Sequence, residues 1–329
     1  GSMNKCFVYF LFFKHALETV DISEKTLSEQ LVTCIHQSKR AGYALEKWEF
    51  LKDYKYSVIF TCDDFSSTLK KAKEIIPLEN TYENDYLYTS FVKPVAYSMD
   101  ENYFLKFNLA YAAIHPLTQE EFLTKYPFLV VFHEKGELIE FRFDVLKRVF
   151  LSDKKEPTIY SNLIAEMSDY FKEHFECDLI PLNLDFMVNV CKRDENVKLI
   201  AQSMKLPNGG NAQLDVGNNQ EYILPFIGEL RSLLNDNQAE LEKVPDFREA
   251  LEQFMFEMEE MSDYPWIELL WENEIKTRSN RVKFVFNYMN KSYCLIQYYY
   301  SNVLIGMERM NYVIEYIVNH RNDDTTQNE

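Results

Sequence analysis

The first 98 residues alternate between strand-like and helix-like patterns, and this order constrains the fold more than any other feature of the sequence. Short apolar or alternating runs predict strands, whereas apolar residues three and four apart after a cap predict helices. The resulting order is strand, helix, strand, strand, helix, strand, the order of a ferredoxin-like split βαβ unit. The predicted strands are Cys6–Phe13, Leu45–Leu51, Tyr56–Cys62 and Tyr86–Val92.

Two predicted helices connect these strands. The first begins at a capping box formed by Thr26 and Glu29, and Gly42 ends it. The second is capped by Ser66 or Ser67 and stops before a proline. Because the same fold carries many unrelated functions, this reading predicts an architecture and no activity.

The chain continues with β structure and then returns to helices. Phe128–Phe132 and Leu138–Phe143 flank a short turn whose Gly136 is available for positive φ, which predicts a hairpin. Thr158–Phe175 has helical periodicity. Further predicted elements are a hairpin of Val197–Leu206 and Ala212–Val216, helices at 222–235 and 246–261, strands Trp266–Lys276, Val282–Tyr288 and Tyr293–Tyr300, and a helix at 302–319.

The length of 329 residues exceeds what one hydrophobic core usually supports, which favours two α+β domains. The charged run that ends at Pro157 is the best boundary, because few other stretches break the regular patterns. We therefore predict a ferredoxin-like domain with an added hairpin at 3–152, a second mixed α+β domain at 157–320, and a disordered polar tail at 321–329.

The net charge of −17 disfavours nonspecific nucleic-acid binding, since phosphates would be repelled. The acidity is concentrated in residues 236–263, where ten acids stand against Lys243 and Arg248, a net charge of −8. Such a segment is either a solvated helix face or a surface that binds a basic partner. The candidate binding acids are Glu249, Glu252, Glu257 and Glu260.

The loop around residues 207–220 holds three of the eight glycines of the chain, which marks it as a second candidate binding surface. It is equally well explained as a hairpin tip, because Asn-Gly favours a tight turn. The candidate binding residues are Asn208, Gly209, Gly210 and Asn211.

Six cysteines show no CxxC pair and no metal-ligand spacing, so we expect them to be reduced and the protein to be cytoplasmic. The apolar run Cys6–Phe13 is too short to span a bilayer, and no membrane association is expected. P-loop, dinucleotide-binding, nucleophile-elbow and HExxH motifs are absent, so no resident cofactor is expected.

The strongest enzymatic alternative is a divalent-metal nuclease with a restriction-endonuclease-like site. It would use Asp263 and Glu274 to hold Mg²⁺ or Mn²⁺ and Lys276 to align water. Acid-x-Lys triplets also begin at Asp53 and Asp153. This number of triplets is no higher than the composition of the chain produces by chance.

Asp63 and Asp64 follow a predicted strand and precede a helix, a position where carboxylates bind Mg²⁺. The same carboxylates also stabilise a helix N-terminus through its dipole, with no further function. The sequence favours the dipole interpretation and leaves a metal site as the alternative.

Taken together, these patterns favour a non-enzymatic subunit or adaptor of a bacterial multi-protein system, with antiviral defence as one setting. A protein is the expected partner. Tyr293–Tyr300 is apolar on both faces, so it is either central in a sheet or part of an interface between copies of the chain.

Overall fold

The computed structural model describes residues 5–7, 19–21, 26, 29–30, 33, 39–75, 87–114, 119–147, 150, 156–190, 194–205, 211–215, 230, 233–260, 263–272, 279–299 and 306–321. At the N-terminus, β1 (Lys5–Phe7) pairs antiparallel with β2 (Thr19–Asp21) in a small separate sheet. The strand predicted at Cys6–Phe13 begins one residue earlier, and its part after Phe7 lies outside the described residues.

Eleven strands form one large sheet in which every pairing between these strands is antiparallel. Their order across the sheet is β10-β9-β11-β12-β13-β3-β7-β6-β5-β4, with β8 paired to β3. In chain order they are β3 (Tyr56–Thr61), β4 (Val95–Met99), β5 (Asn102–Ile114), β6 (Glu121–His133), β7 (Leu138–Phe143), β8 (Ile180–Pro181), β9 (Val197–Lys205), β10 (Asn211–Asp215), β11 (Asp263–Trp271), β12 (Asn280–Val285) and β13 (Leu295–Tyr298).

This sheet runs across the boundary predicted near Pro157. β3 comes from the N-terminal part of the chain and pairs with β7 on one side and with the C-terminal β13 on the other. The strands of the two predicted domains therefore share one sheet. Residues 151–155 and the predicted tail from 322 onward lie outside the described residues. β13 lies between β12 and β3, so its apolar residues on both faces are explained by a central position.

Helices cover both faces of the sheet. The described helices are α1 (Lys39–Leu51), α2 (Phe65–Ala72), α3 (Glu156–Phe175), α4 (Gln238–Leu241), α5 (Pro245–Glu260) and α6 (Glu308–His320). On one face, α2 and α3 pack on a core rich in phenylalanine, to which β3, β5, β6 and β7 contribute. The other face is covered by α1 and α6, which pack on the same strands and on β11 to β13. The packing residues are Phe50 of α1 and Met310, Val313 and Ile317 of α6. The protein is thus mixed α+β with a large antiparallel sheet.

The predicted strand Leu45–Leu51 is wrong, since these residues are the last two turns of α1. Gly42 lies inside that helix and does not end it. The alternation of charged and aromatic residues suggested a strand, but Gly42, Glu49 and Phe50 are buried together at helical spacing. The ferredoxin-like βαββαβ order is therefore not found in the described residues.

Other local predictions differ in detail. Thr26 and Glu29 do form the predicted capping box, in which the Thr26 backbone N–H donates to the Glu29 carboxylate at 2.8 Å. Asp64, not a serine, caps α2. Within the segment predicted as the strand Tyr86–Val92, Tyr88 makes a single parallel bridge to Leu109.

The predicted hairpin of β6 and β7 is confirmed, but its glycine has a different role. The left-handed residue of the turn is Glu137, with φ of 50°, and not Gly136. A Cβ on Gly136 would lie 2.6 Å from Cγ2 of Val318, so the glycine permits close packing of the turn on α6.

The helix predicted at 158–175 is confirmed as α3, and the hairpin predicted at 197–216 is confirmed as β9 and β10. The strand of 56–62, the C-terminal strands and the last helix are also found, with shifted ends. No described helix combines the length and the apolar character that crossing a membrane requires.

Candidate functional site

Helices α4 and α5 carry the acidic segment identified in the sequence. Pro245 occupies the first position of α5, where its missing N–H costs no hydrogen bond. Leu251 and Met255, one turn apart, pack with Met204 of β9 and Leu234 in a small core of their own. One side of α5 is therefore fixed against the sheet, whereas positions 245–247, 249–250 and 252–254 are exposed.

A pair of phenylalanines on α5 is exposed beside this buried side. Phe247 is 61% exposed and Phe254 is 45% exposed. They are seven residues apart, which places them about 20° apart around the helix axis. Val244, which directly precedes the helix, is also exposed. We call Val244, Phe247 and Phe254 the apolar stripe.

The basic side chains of this segment are already paired within it. Lys243 Nζ contacts the Glu240 carboxylate at 2.6 Å, and Arg248 Nε contacts that of Glu252 at 2.8 Å. Among the described residues, Glu242 and Glu249 have no ion pair. The negative charge of the segment therefore remains available to an approaching partner.

The structure places the predicted binding acids on a different side from the apolar stripe. Glu249 and Glu252 are exposed, and their positions are about 140–200° around the axis from Phe247. Glu257 and Glu260 belong to the last turns of α5, but their side chains lie outside the described residues. Glu249 and Glu252 thus lie on nearly the opposite side of α5 from the stripe and do not line it.

The glycine loop predicted as a second binding surface lies mostly outside the described residues. Asn208, Gly209 and Gly210 are not described, whereas Asn211 is the first residue of β10 and pairs with Lys205 of β9. The loop therefore connects the last two strands at one end of the sheet order. Its role in binding stays a prediction.

The nuclease alternative is only partly covered by the structure. Asp263 is exposed at the start of β11, where its register partner is Lys205. Glu274 and Lys276 lie outside the described residues. The juxtaposition of these three groups therefore stays a prediction.

Asp63 and Asp64 stand at the N-terminus of α2. The Asp64 carboxylate accepts a hydrogen bond from the Ser67 backbone N–H at 2.9 Å, which is an N-cap. Asp63 is exposed beside it. No group of three or more potential metal ligands is found within the described part of the chain. The cap accounts for Asp64 without a metal.

A separate polar cleft of about 60 Å³ lies between α6 and the end of β6. His133 lines it, and its Nε2 is 2.8 Å from the Glu140 carboxylate. That carboxylate also accepts hydrogen bonds from the Arg142 guanidinium at 2.7 and 2.8 Å. Arg142 in turn donates to the Asn311 side chain on α6 at 2.8 Å. A cleft of this size has room for a few water molecules.

Burial and the neighbouring charges together determine the protonation states of this cluster. Desolvation lowers the pKa of His133 below its ordinary value, although the hydrogen bond to Glu140 opposes that shift. For Glu140, desolvation alone would raise the pKa, but Arg142 and His133 together hold it below the ordinary value. The cluster is therefore a neutral imidazole beside an ion pair at neutral pH.

This arrangement predicts a pH-dependent stability. An unfolded His133 takes up a proton below its ordinary pKa of 6.5, whereas the folded one does so only at lower pH. Stability therefore falls as the pH drops from 6.5 toward the folded-state pKa. Over the first pH unit, wild type is expected to lose up to about 1.4 kcal/mol more than His133→Gln. Urea unfolding of both proteins across this range measures the difference, and parallel curves would contradict it.

Comparison with known proteins assigns no family to the chain. No protein-family model matches it. A search of curated proteins found no relative either. The candidate site therefore rests on geometry and chemistry alone.

Sequence reasoning missed the apolar stripe and the His133 cluster. The spacing of Phe247 and Phe254 was readable, but exposure is not encoded in spacing, since buried helices have the same period. The cluster had a clearer signal: Glu140 and Arg142 lie two residues apart in an otherwise apolar strand. Two charges on one face of such a strand predict a buried ion pair.

Proposed function

We propose that the protein is a non-enzymatic binding subunit or adaptor that holds a basic protein partner on α4 and α5. The observation that carries this proposal is the exposed aromatic pair of the apolar stripe on a helix of net negative charge. Exposed aromatic side chains are enriched at the centres of protein interfaces, where they supply most of the affinity.

The chemistry of the expected partner follows from the charge of the surface. A partner segment with Lys and Arg around apolar residues would contact the phenylalanines and be attracted by Glu242 and Glu249. Apolar contacts at the centre set the lifetime of such a complex, whereas peripheral charges set the association rate. A nucleic acid would be repelled by the same carboxylates. A basic amphipathic helix is therefore the occupant that fits best.

The proposal predicts that the two kinds of residue have different effects on binding. Replacing Phe247 and Phe254 together by serine is expected to weaken the complex at least about tenfold, mainly through faster dissociation. Replacing Glu242 and Glu249 by glutamine is expected to slow association and to reduce its salt dependence. Both variants should fold, because all four side chains are exposed.

The measurement begins with capture of binding proteins on immobilised wild type at low and moderate salt. The captured protein is then titrated against each variant by surface plasmon resonance. Ile114 and Leu123, exposed near the end of the β5–β6 hairpin, provide a matched control when both are changed to serine. Unchanged binding by the phenylalanine variant, or equal loss in the hairpin variant, would remove α5 as the binding surface.

A further inference from the structure

Two cysteines far apart in the sequence meet beside the N-terminus of α2. Cys62 directly follows β3, and Cys177 follows α3. Strand β8 brings them together, because it pairs with the end of β3 through Thr61 and Ile180. Cys177 precedes Ile180 by only three residues, so both thiols lie at the same corner of the sheet.

The two side chains share one apolar cluster, in which Cys177 is buried and Cys62 packs against it. The Cys62 sulfur lies 3.9 Å from the hydroxyl oxygen of Thr68 on α2. Each thiol also shifts the pKa of the other, as neighbouring groups do. Neighbouring cysteines can form a disulfide when their Cα atoms lie within about 7 Å of each other. Both thiols are free in this structure.

Their surroundings favour reaction at this pair over Cys294, the third cysteine whose side chain is described. The hydrogen bond from Cys62 stabilises the Cys177 thiolate and lowers the pKa of Cys177 to about 7. By contrast, burial raises the pKa of Cys294 well above its ordinary value. Cys177 is only 6% exposed, but Cys62 is partly exposed and gives a small reagent access to the pair.

We propose that Cys62 and Cys177 are a thiol modification site that forms a reversible intramolecular disulfide with a low-molecular-weight disulfide as oxidant. One thiolate of the pair attacks a sulfur of the small disulfide, forms a mixed disulfide and releases one small thiol. The second cysteine then attacks the protein sulfur of the mixed disulfide and releases the second small thiol. The protein loses two hydrogens, and the small disulfide gains them.

The product would join two elements that are otherwise held together by few polar contacts. Lys71 of α2 donates to the Phe175 carbonyl oxygen at 3.0 Å and contacts the exposed Glu176 carboxylate at 2.7 Å. A covalent bond at Cys62 and Cys177 would close a loop of more than one hundred residues in the unfolded chain, which raises the Tm of the oxidised protein. This site is independent of the surface on α5.

The test is incubation of the native protein with oxidised glutathione at pH 7.5, followed by blocking of free thiols and peptide mass spectrometry. Wild type is expected to yield a peptide pair linking Cys62 and Cys177, about 2 Da lighter than the sum of the free peptides. In Cys62→Ser or Cys177→Ser, the remaining cysteine of the pair should instead retain glutathione, about 305 Da heavier.

Two results would overturn the inference. One is the absence of the Cys62–Cys177 link in oxidised native protein. The other is a link that forms in urea as fast as in the folded state, since proximity in the fold would then not cause it. Cys294 is the internal control and should remain unmodified in the folded protein.

Discussion

Replacing Lys106 by methionine is expected to lower the free energy of unfolding by about 3–5 kcal/mol. Lys106 lies on β5 with its side chain fully buried. Its ammonium group contacts the Glu46 carboxylate at 2.5 Å, that of Glu49 at 2.6 Å and the Glu46 carbonyl at 3.0 Å. Without it, Lys125 is the one cation that the described residues leave to the two carboxylates, which lie on consecutive turns of α1.

The loss of unfolding free energy comes from the carboxylate charges left uncompensated, and not from a large net stabilisation by the ion pairs themselves. Burial lowers the pKa of Lys106, and the carboxylates only partly oppose that shift. Removing all the buried charges together therefore costs less than removing one of them. The triple variant Lys106→Met/Glu46→Gln/Glu49→Gln should recover most of the stability that the single variant loses.

Urea unfolding followed by circular dichroism measures these differences. Lys73→Met is the matched control, because Lys73 makes a half-exposed ion pair with Glu134 and should change stability little. Equal losses in Lys106→Met and Lys73→Met would mean that the buried cluster contributes no more than a surface pair.

The same cluster explains where sequence reasoning failed. Strands β3, β6 and β7 and helix α3 could be predicted because their apolar periodicity is local. Helix α1 could not, because its buried side contains acids whose partners lie on β5 and β6. A pattern that assumes polar residues face water therefore assigns the wrong period to Leu45–Leu51.

The candidate sites show the same limit. The acidity of α5 is a property of composition, and it was predicted from the sequence. Exposure of Phe247 and the proximity of Cys62 to Cys177 depend on long-range pairing of the sheet, which no local pattern contains. The N-terminus of α2 shows an intermediate case: the sequence favoured Asp64 as a carboxylate that stabilises the helix dipole but assigned the cap to a serine, whereas Asp64 itself is the N-cap.

The second large effect is expected for Glu140→Gln on β7, with a loss of about 3–5 kcal/mol at neutral pH. Glu140 and Arg142 are both fully buried. A neutral amide keeps the shape of the side chain but leaves the guanidinium charge uncompensated. Among the described residues, Nη1 of Arg142 already has no hydrogen-bond partner, so the loss of the Glu140 charge leaves this guanidinium still less well satisfied.

The pH dependence separates a charge effect from a packing effect. The folded-state pKa of Glu140 lies below its ordinary value of 4.5, so its contribution is complete above pH 4.5 and is lost as the pH falls through the folded-state value. Acidification should therefore reduce the difference between wild type and Glu140→Gln. The double variant Glu140→Gln/Arg142→Met should be more stable than Glu140→Gln alone, because it contains no unpaired buried charge. A double variant less stable than the single one, with a difference independent of pH, would show that Arg142 stabilises the sheet by packing and not by its charge.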